Sequence, residues 1–456
     1  LDGRTFQPAN VRLAKISAGV RAVQSMAKLG GSTISSLPDI VTLAGELKHN
    51  GVDLLGSYSG TLDALFKGRH GIEKEQLGEL VLSGLESMIG DVHSRFHAED
   101  GLKGTMSRLM YLNFRFNGQN WWNDVLKSYA TSAMSTNLAL HSDRPFAKIP
   151  EALKRVLSKY EFTDRDWKVL PELVRKSDSG IRRVFPEQVY DIQNSRLREI
   201  FKDNNISDVK LRDFKKALQS KLDTYFVDRS DVALPTPGPA ERAFMLRGTQ
   251  PGTIVGEALR FMGQFKSFPI TFVSKIYGRE AAGLRNGDYA IGALAHTIIG
   301  TTVMGYLAMS VKDILKGKTP RQANDVKTWG AAMVQGGGAG IYGDFLFGEY
   351  NRYGRSWSST ILGPTLGQID DIGELYNRMR SGEDFGANAF RLVKNNTPFV
   401  NLFYTRAALD YLLLYQVQEL MNPGFLDRME QRARDENGQE FFLSPSDKST
   451  ILGYKP

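Results

Sequence analysis

Cysteine is absent from this chain. No disulfide staples the fold, and thiolate catalysis and Cys-ligated metal sites are excluded. Such a chain suits a cytoplasmic setting. It suits equally a protein that must unfold and cross an oxidising compartment without mispairing. Period-2 runs of β-branched residues are scarce, which argues against a sheet-based fold. No charged-then-apolar leader opens the sequence at Leu1, so no secretory signal is visible. The start at Leu1 rather than Met leads to the expectation of a fragment or processed product of something longer. One further lack is local. Tyr289–Val311 contains no Asp, Glu, Lys or Arg, although 24% of the chain is charged.

What is present is helical patterning. The 456 residues suffice for two to four domains of ordinary size, and 41% apolar content supports real cores. Segments such as Asn10–Gly31 carry apolar residues at helical spacing and stop at Gly30-Gly31, a helix-end signal. Ile72–His97 repeats the pattern, and Asn120 stands where it would cap a helix over Asn120–Ser142. The fold class expected is therefore all-α, with long helices and Gly/Pro-rich connections. Val232–Arg242 is the best linker candidate, with breaks at Leu315–Asp325 and at Asn422-Pro423-Gly424. The organisation read from these signals is an N-terminal helical region (1–231), a Pro-rich linker (232–250), basic amphipathic and apolar helices (251–320) and a Gly-rich C-terminal helical region (321–456). No fixed-period repeat is found.

A net charge of +8 and a pI near 9.3 favour polyanionic neighbours, though only weakly. His93 and His97 share one helix face, a spacing that suits a metal, with Glu99 or Asp100 as further ligands. A zinc protease needs Glu after the first His, where this chain has Ser94, so two packing or surface histidines is the better reading. Gly338, Gly340 and Gly343 match G-x-G-x-x-G, but no strand signature precedes them, and close backbone packing explains them better. No triad order or nucleophile elbow occurs, and acidic pairs such as Asp370-Asp371 and Glu430/Asp435 read as solvated faces. The sequence thus assigns no catalytic residue, no metal site and no cofactor, and an enzyme is not expected.

Two stretches carry more. Phe261, Phe265, Phe268 and Phe272 fall at i, i+4, i+7 and i+11 on one helical face, with Pro269 expected to kink or split that helix. Arg260, Lys266, Lys275 and Arg279 accompany them with no acid between. A core face, a membrane-surface helix and a base-stacking platform all fit this pattern, and the core spacing favours packing. The four cations are the candidates for contact with DNA or an anionic surface. The second stretch is Ala290–Val311, about 33 Å of helix and long enough to span a bilayer. Three glycines, three threonines, Ser310 and His296 dilute it. Ala293, Thr297, Thr301 and Gly305 form a small-xxx-small ridge that lets another helix approach. The expectation is a helix packed by protein that meets lipid only within an assembly. Lys312, Lys316, Lys318 and Arg321 follow it, so a span would end on the cytoplasmic side.

Several strings together resemble a known group. They are "NWWNDVLKSYATSAM", "GQFKSFPITFVSKIYGRE", "GGGAGIYGDFLFGEYNRYGRSWSSTILGPTLGQIDDI", "NNTPFVNLFYTRAALDYLLLYQVQELMNPGFLDRMEQR" and the closing "FFLSPS". In combination, from about Gln119 onward, they resemble the C-terminal region of large polyvalent internal virion, or DNA-ejection, proteins of short-tailed bacteriophages. The resemblance implies a structural role, since enzymatic modules of that family usually lie elsewhere in the chain. It implies storage inside the capsid near the portal, exit ahead of the genome, and reassembly in the host envelope as part of a conduit. The partners implied are further copies in a ring, other ejection, core or portal proteins, double-stranded phage DNA without sequence specificity, and the host membrane. The alternatives kept beside it are a phage cell-wall hydrolase of lytic-transglycosylase type and a purely soluble virion scaffold.

Overall fold

A computed structural model describes residues 7–67, 105–176, 180–285, 291–336, 373, 375–381 and 386–446. The chain is all-α. The helices run α1 (Val11–Lys28), α2 (Ser32–Ser35), α3 (Asp39–His49), α4 (Leu54–Lys67), α5 (Thr105–Phe116), α6 (Gln119–His141) and α7 (Glu151–Ser158). Next come α8 (Asp164–Val169), α9 (Asn194–Phe201), α10 (Asp208–Ala233), α11 (Pro239–Leu246), α12 (Ile254–Gly263), α13 (Ser267–Thr271) and α14 (Gly278–Arg285). The remainder are α15 (Ile291–Leu315), α16 (Val326–Val334), α17 (Gly386–Asn396), α18 (Phe403–Leu409), α19 (Tyr415–Met421) and α20 (Phe425–Asn437). One antiparallel hairpin, β1 (Val174–Lys176) with β2 (Arg182–Val184), is the sole sheet among the described residues. The helix read over Ile72–His97 lies outside the described residues.

The chain clusters into two compact units. The first joins Leu1–Pro38, Val92–Asn120 and Thr236–Pro456; the second joins Asp39–Asp91 and Trp121–Pro235. One boundary, Pro235/Thr236, falls inside the Pro-rich stretch. The other three fall within 1–231, so that region contributes to both units.

In the second unit α3 packs against α4 and α10. Leu43, Ala44 and Leu47 of α3 and Leu218, Leu222 and Tyr225 of α10 are fully buried. α10 stops at Ala233 because Pro235 and Pro237 follow, and a residue before proline is driven out of the helical region. A buried polar network crosses this core. Glu46 accepts from Arg229 at 3.2 Å and from the Asn50 amide at 2.8 Å, and Asn50 Oδ1 accepts from Tyr225 at 2.9 Å. Every member is bonded, which makes its burial tolerable. α8 begins with a capping box, Thr163 and Asp166 each bonding the other's backbone N–H.

In the first unit α1 is capped by Asn10, whose Oδ1 accepts from the Leu13 N–H at 3.0 Å. Asn117, rather than Asn120, caps α6: it accepts from the Gln119 N–H at 2.9 Å, and Asn120 lies inside the helix. Ala22, Met26 and Leu29 of α1 meet Met110 and Phe114 of α5, and Phe265 completes that cluster. Asn113 and Asn117 clamp the pair by donating to the carbonyls of Met26 and Leu29.

The segment carrying the phenylalanines is not one helix. α12 ends at Gly263 and α13 begins at Ser267, and Phe265 between them has φ +66. A left-handed aromatic residue costs about 1–3 kcal/mol. Two contacts offset it. Phe265 is 1% exposed, and a fully buried Phe gains about 1.5–3 kcal/mol. The Gln264 amide also donates to the Arg21 carbonyl at 2.9 Å. The break precedes Pro269, which then sits in the first turn of α13, where its missing N–H has no helical partner to lose.

Candidate helix-packing site and cationic surfaces

The small-residue ridge is a packing surface within the first unit. Thr297 and Thr301 are buried. A Cβ added at Gly305 would lie 2.2 Å from the Ala332 carbonyl oxygen and 2.8 Å from the Gly336 N; one added at Gly336 would lie 1.7 Å from the Thr301 carbonyl oxygen. The backbones of α15 and of the turn ending α16 therefore touch, which only missing side chains permit. Thr301 returns its hydroxyl to the Thr297 carbonyl at 2.7 Å, so it adds no unsatisfied polar group to the contact. Ala293, at the N-terminal end of the ridge, is half-buried. Tyr306 stacks on Trp329 at 5.2 Å, and Met309 joins Ala331 and Ala332 in a small apolar cluster.

The other side of α15 is open. Ile299 is 64% exposed, Val303 41%, Leu307 43%, Val311 38% and Ile314 48%. Spacings of four, four, four and three place these five on one face. The helix is long and apolar enough to cross a membrane over Gly292–Leu315, yet only 28% of its most apolar window is buried. The cations that follow are largely committed. Lys312 donates to Ser35 at 2.6 Å, Arg321 pairs with Asp313 at 3.3 Å, and Lys318 is buried against the Phe441 ring.

The four cations chosen from sequence do not form an exposed set. Arg260 is 3% exposed and donates to the carbonyls of Gly256 and Thr249. Arg279 is ion-paired with Glu280, and both side chains are buried. Lys266 is half-buried, and burial pushes its ammonium below the ordinary lysine range. Lys275 is half-buried as well. Arg260 is held by carbonyls at and before the start of α12 and Arg279 by its own neighbour, and the break at Phe265 keeps the four off one continuous helical stripe. The phenylalanines, by contrast, do what core spacing suggests. Phe265, Phe268 and Phe272 are buried, and Phe261 lies under the Arg21 guanidinium at 4.9 Å.

A different group of cations is open to solvent. Arg12 and Lys15 of α1 and Arg108 and Arg115 of α5 are all exposed, and none of the four side chains makes a hydrogen bond or ion pair among the described residues. Sequence reading missed them, although a signal was present: residues 7–38 and 105–120 contain no Asp or Glu at all.

Among the described residues no group of three His, Cys, Asp or Glu is placed to hold a metal. His93, His97, Glu99 and Asp100, the glycines Gly338, Gly340 and Gly343, and Asp370-Asp371 lie outside the described residues. Glu430 accepts from the Ser444 hydroxyl and the Ser446 N–H, both at 2.7 Å, and so ties down the chain after α20. Comparison of the chain with family models, curated proteins and solved structures finds no match.

Proposed function

We propose that this chain is a structural, non-enzymatic component of a phage genome-delivery assembly. In this reading it is an internal virion protein that forms part of an oligomeric conduit for DNA across the host envelope. The observation that carries the reading is the two-sided character of α15. One face is closed by backbone contact with the end of α16, so the helix is anchored in its own unit. The other is a continuous apolar stripe facing outward, which a soluble monomer rarely leaves open without a partner. A helix so built keeps its anchor while its outer face meets lipid or another copy. The resemblance of the strings quoted above and the cysteine-free, basic composition support the same reading.

The test is reconstitution. The purified chain is mixed with vesicles of bacterial lipid composition, and assembly is followed by sedimentation and release of an encapsulated dye. Lipid-dependent oligomers that make the vesicles leaky are expected. A chain that stays monomeric and leaves vesicles intact, or that turns over peptidoglycan, overturns the reading.

A further inference from the structure

The solvent-facing cations of α1 and α5 come from two stretches of sequence that hold no negative charge. A chain with 50 acidic residues in 456 would place about five of them in stretches as long as 7–38 and 105–120, and there are none. Six cations occupy these stretches. Arg21 is spent on a buried ion pair with Glu257 at 2.7 Å, and Lys28 donates to the Asn395 carbonyl. The side chains of the other four reach solvent with no partner among the described residues.

Their arrangement matters as much as their number. Arg108, Tyr111 and Arg115 stand at i, i+3 and i+7, one stripe of α5 about 10 Å long. Tyr111 is 40% exposed between the two arginines. Arg12 and Lys15 stand at i and i+3 near the start of α1. α1 and α5 are held together by the shared cluster and the two asparagine clamps. The stripe is therefore presented by a rigid pair rather than by a loop.

We infer that this surface, carrying Arg12, Lys15, Arg108, Tyr111 and Arg115, is where the chain takes the phosphate backbone of duplex nucleic acid. The inference rests on the DNA-conduit reading and places its DNA contact on α1 and α5 instead of on residues 260–279. Phosphates recruit arginine and lysine without regard to sequence, which is what a conduit for a whole genome needs. A lipid surface fits less well. A membrane-surface helix gathers its apolar residues on one face and its cations on the other. Here the buried apolar residues of α1 and α5 are spent on their mutual packing, and the exposed ones, Val11, Ile16, Val20, Leu109 and Phe116, are interleaved with the cations along the sequence instead of forming a stretch of their own.

The experiment measures binding of the full chain to a short duplex of arbitrary sequence as salt rises from about 50 to 200 mM. It compares wild type, the quadruple variant Arg12→Gln/Lys15→Gln/Arg108→Gln/Arg115→Gln, and Lys266→Gln/Lys275→Gln. Each lost phosphate contact lowers the slope of log K against log salt by about 0.9, so the quadruple variant should lose up to about 3.6. Its affinity at low salt should fall at least tenfold, while helicity and melting stay at wild-type values and the lysine pair keeps the wild-type slope. If wild type binds with a steep salt slope and the quadruple variant matches it, the surface assignment fails and the conduit reading stands. If wild type does not bind duplex DNA at all, both fall. If the four substitutions abolish binding to vesicles containing phosphatidylglycerol but spare duplex binding, the surface belongs to lipid and the inference is wrong.

Discussion

Gly305→Ala should destabilise the α15–α16 contact, although the same change is favourable in most helices. In an open helix, alanine gains about 1 kcal/mol over glycine. At Gly305 the new methyl would sit 2.2 Å from the Ala332 carbonyl oxygen and 2.8 Å from the Gly336 N. Both are backbone atoms, so neither rotates away, and the helices must separate. Separation loosens Met309 from Ala331 and Ala332 and strains the stack of Tyr306 on Trp329. Overpacking of this kind costs about 1–3 kcal/mol and exceeds the propensity gain. Gly330 supplies the control within the partner helix. A Cβ there meets nothing within 4 Å, so Gly330→Ala should stabilise by about 0.5–1 kcal/mol.

The two variants should therefore move in opposite directions, with a gap that equals the overpacking cost, about 2 kcal/mol at the centre of the range, since the propensity gain is common to both. A chain of two units need not melt in one transition, so a global midpoint is a poor readout. Hydrogen exchange of peptides from α15 and α16 reports the local opening directly. A loss of about 1.4 kcal/mol appears as tenfold faster exchange under equilibrium-limited conditions. Exchange in Gly305→Ala that is as slow as wild type, or slower, would show that the helices do not meet backbone to backbone.

Two other perturbations test the interiors of the units. Asp223 is half-buried on α10 beside Glu187, and burial, then that charge, raise its pKa to about 6. The folded state thus holds the proton more tightly than the unfolded one. The stability this gives is full below about pH 4 and lost as pH rises through about 6, a change of about 1–2 kcal/mol once partial exposure is discounted. Asp223→Asn should melt higher than wild type above pH 6 and no higher at pH 4; an equal offset at both pH values would refute the assignment. In the first unit, Glu257→Gln leaves the buried Arg21 guanidinium without its carboxylate, a loss of about 3–5 kcal/mol in urea denaturation. Arg21→Met/Glu257→Met should return part of that loss, and a double variant as unstable as the two single losses combined would mean that the pair does not act as a unit.

The helical class, the stops at Gly30-Gly31 and Asn422-Pro423-Gly424, and the ridge on α15 were legible because each is a local rule. Helical spacing, glycine at a terminus and small residues every four positions all act within one or two turns. The phenylalanine face was half legible. Its burial follows from spacing, but the break at Phe265 depends on Gln264 reaching the Arg21 carbonyl, which no local pattern encodes. That break also misdirected the choice of cations. Arg260, Lys266, Lys275 and Arg279 look like an exposed set on a continuous helix, and cease to be one when the helix is broken and the two arginines are bonded inside the unit. The assembly of the first unit from three separated stretches of chain was invisible for the same reason.

Charge makes sense only once that assembly is known. As a whole the chain is mildly basic, +8, a value too common to point anywhere. Divided by unit, the excess is one-sided. The first unit holds 33 Lys and Arg against 24 Asp and Glu, +9, and the second holds 25 against 26, −1. The near-neutral unit spends its buried charges on internal pairs such as Arg229 with Glu46. The basic unit instead contains both the acid-free helices α1 and α5 and the outward apolar face of α15. The excess positive charge and the outward apolar face are thus concentrated in one unit, and on the proposed reading that unit, rather than the second, is the part of the chain that meets its surroundings.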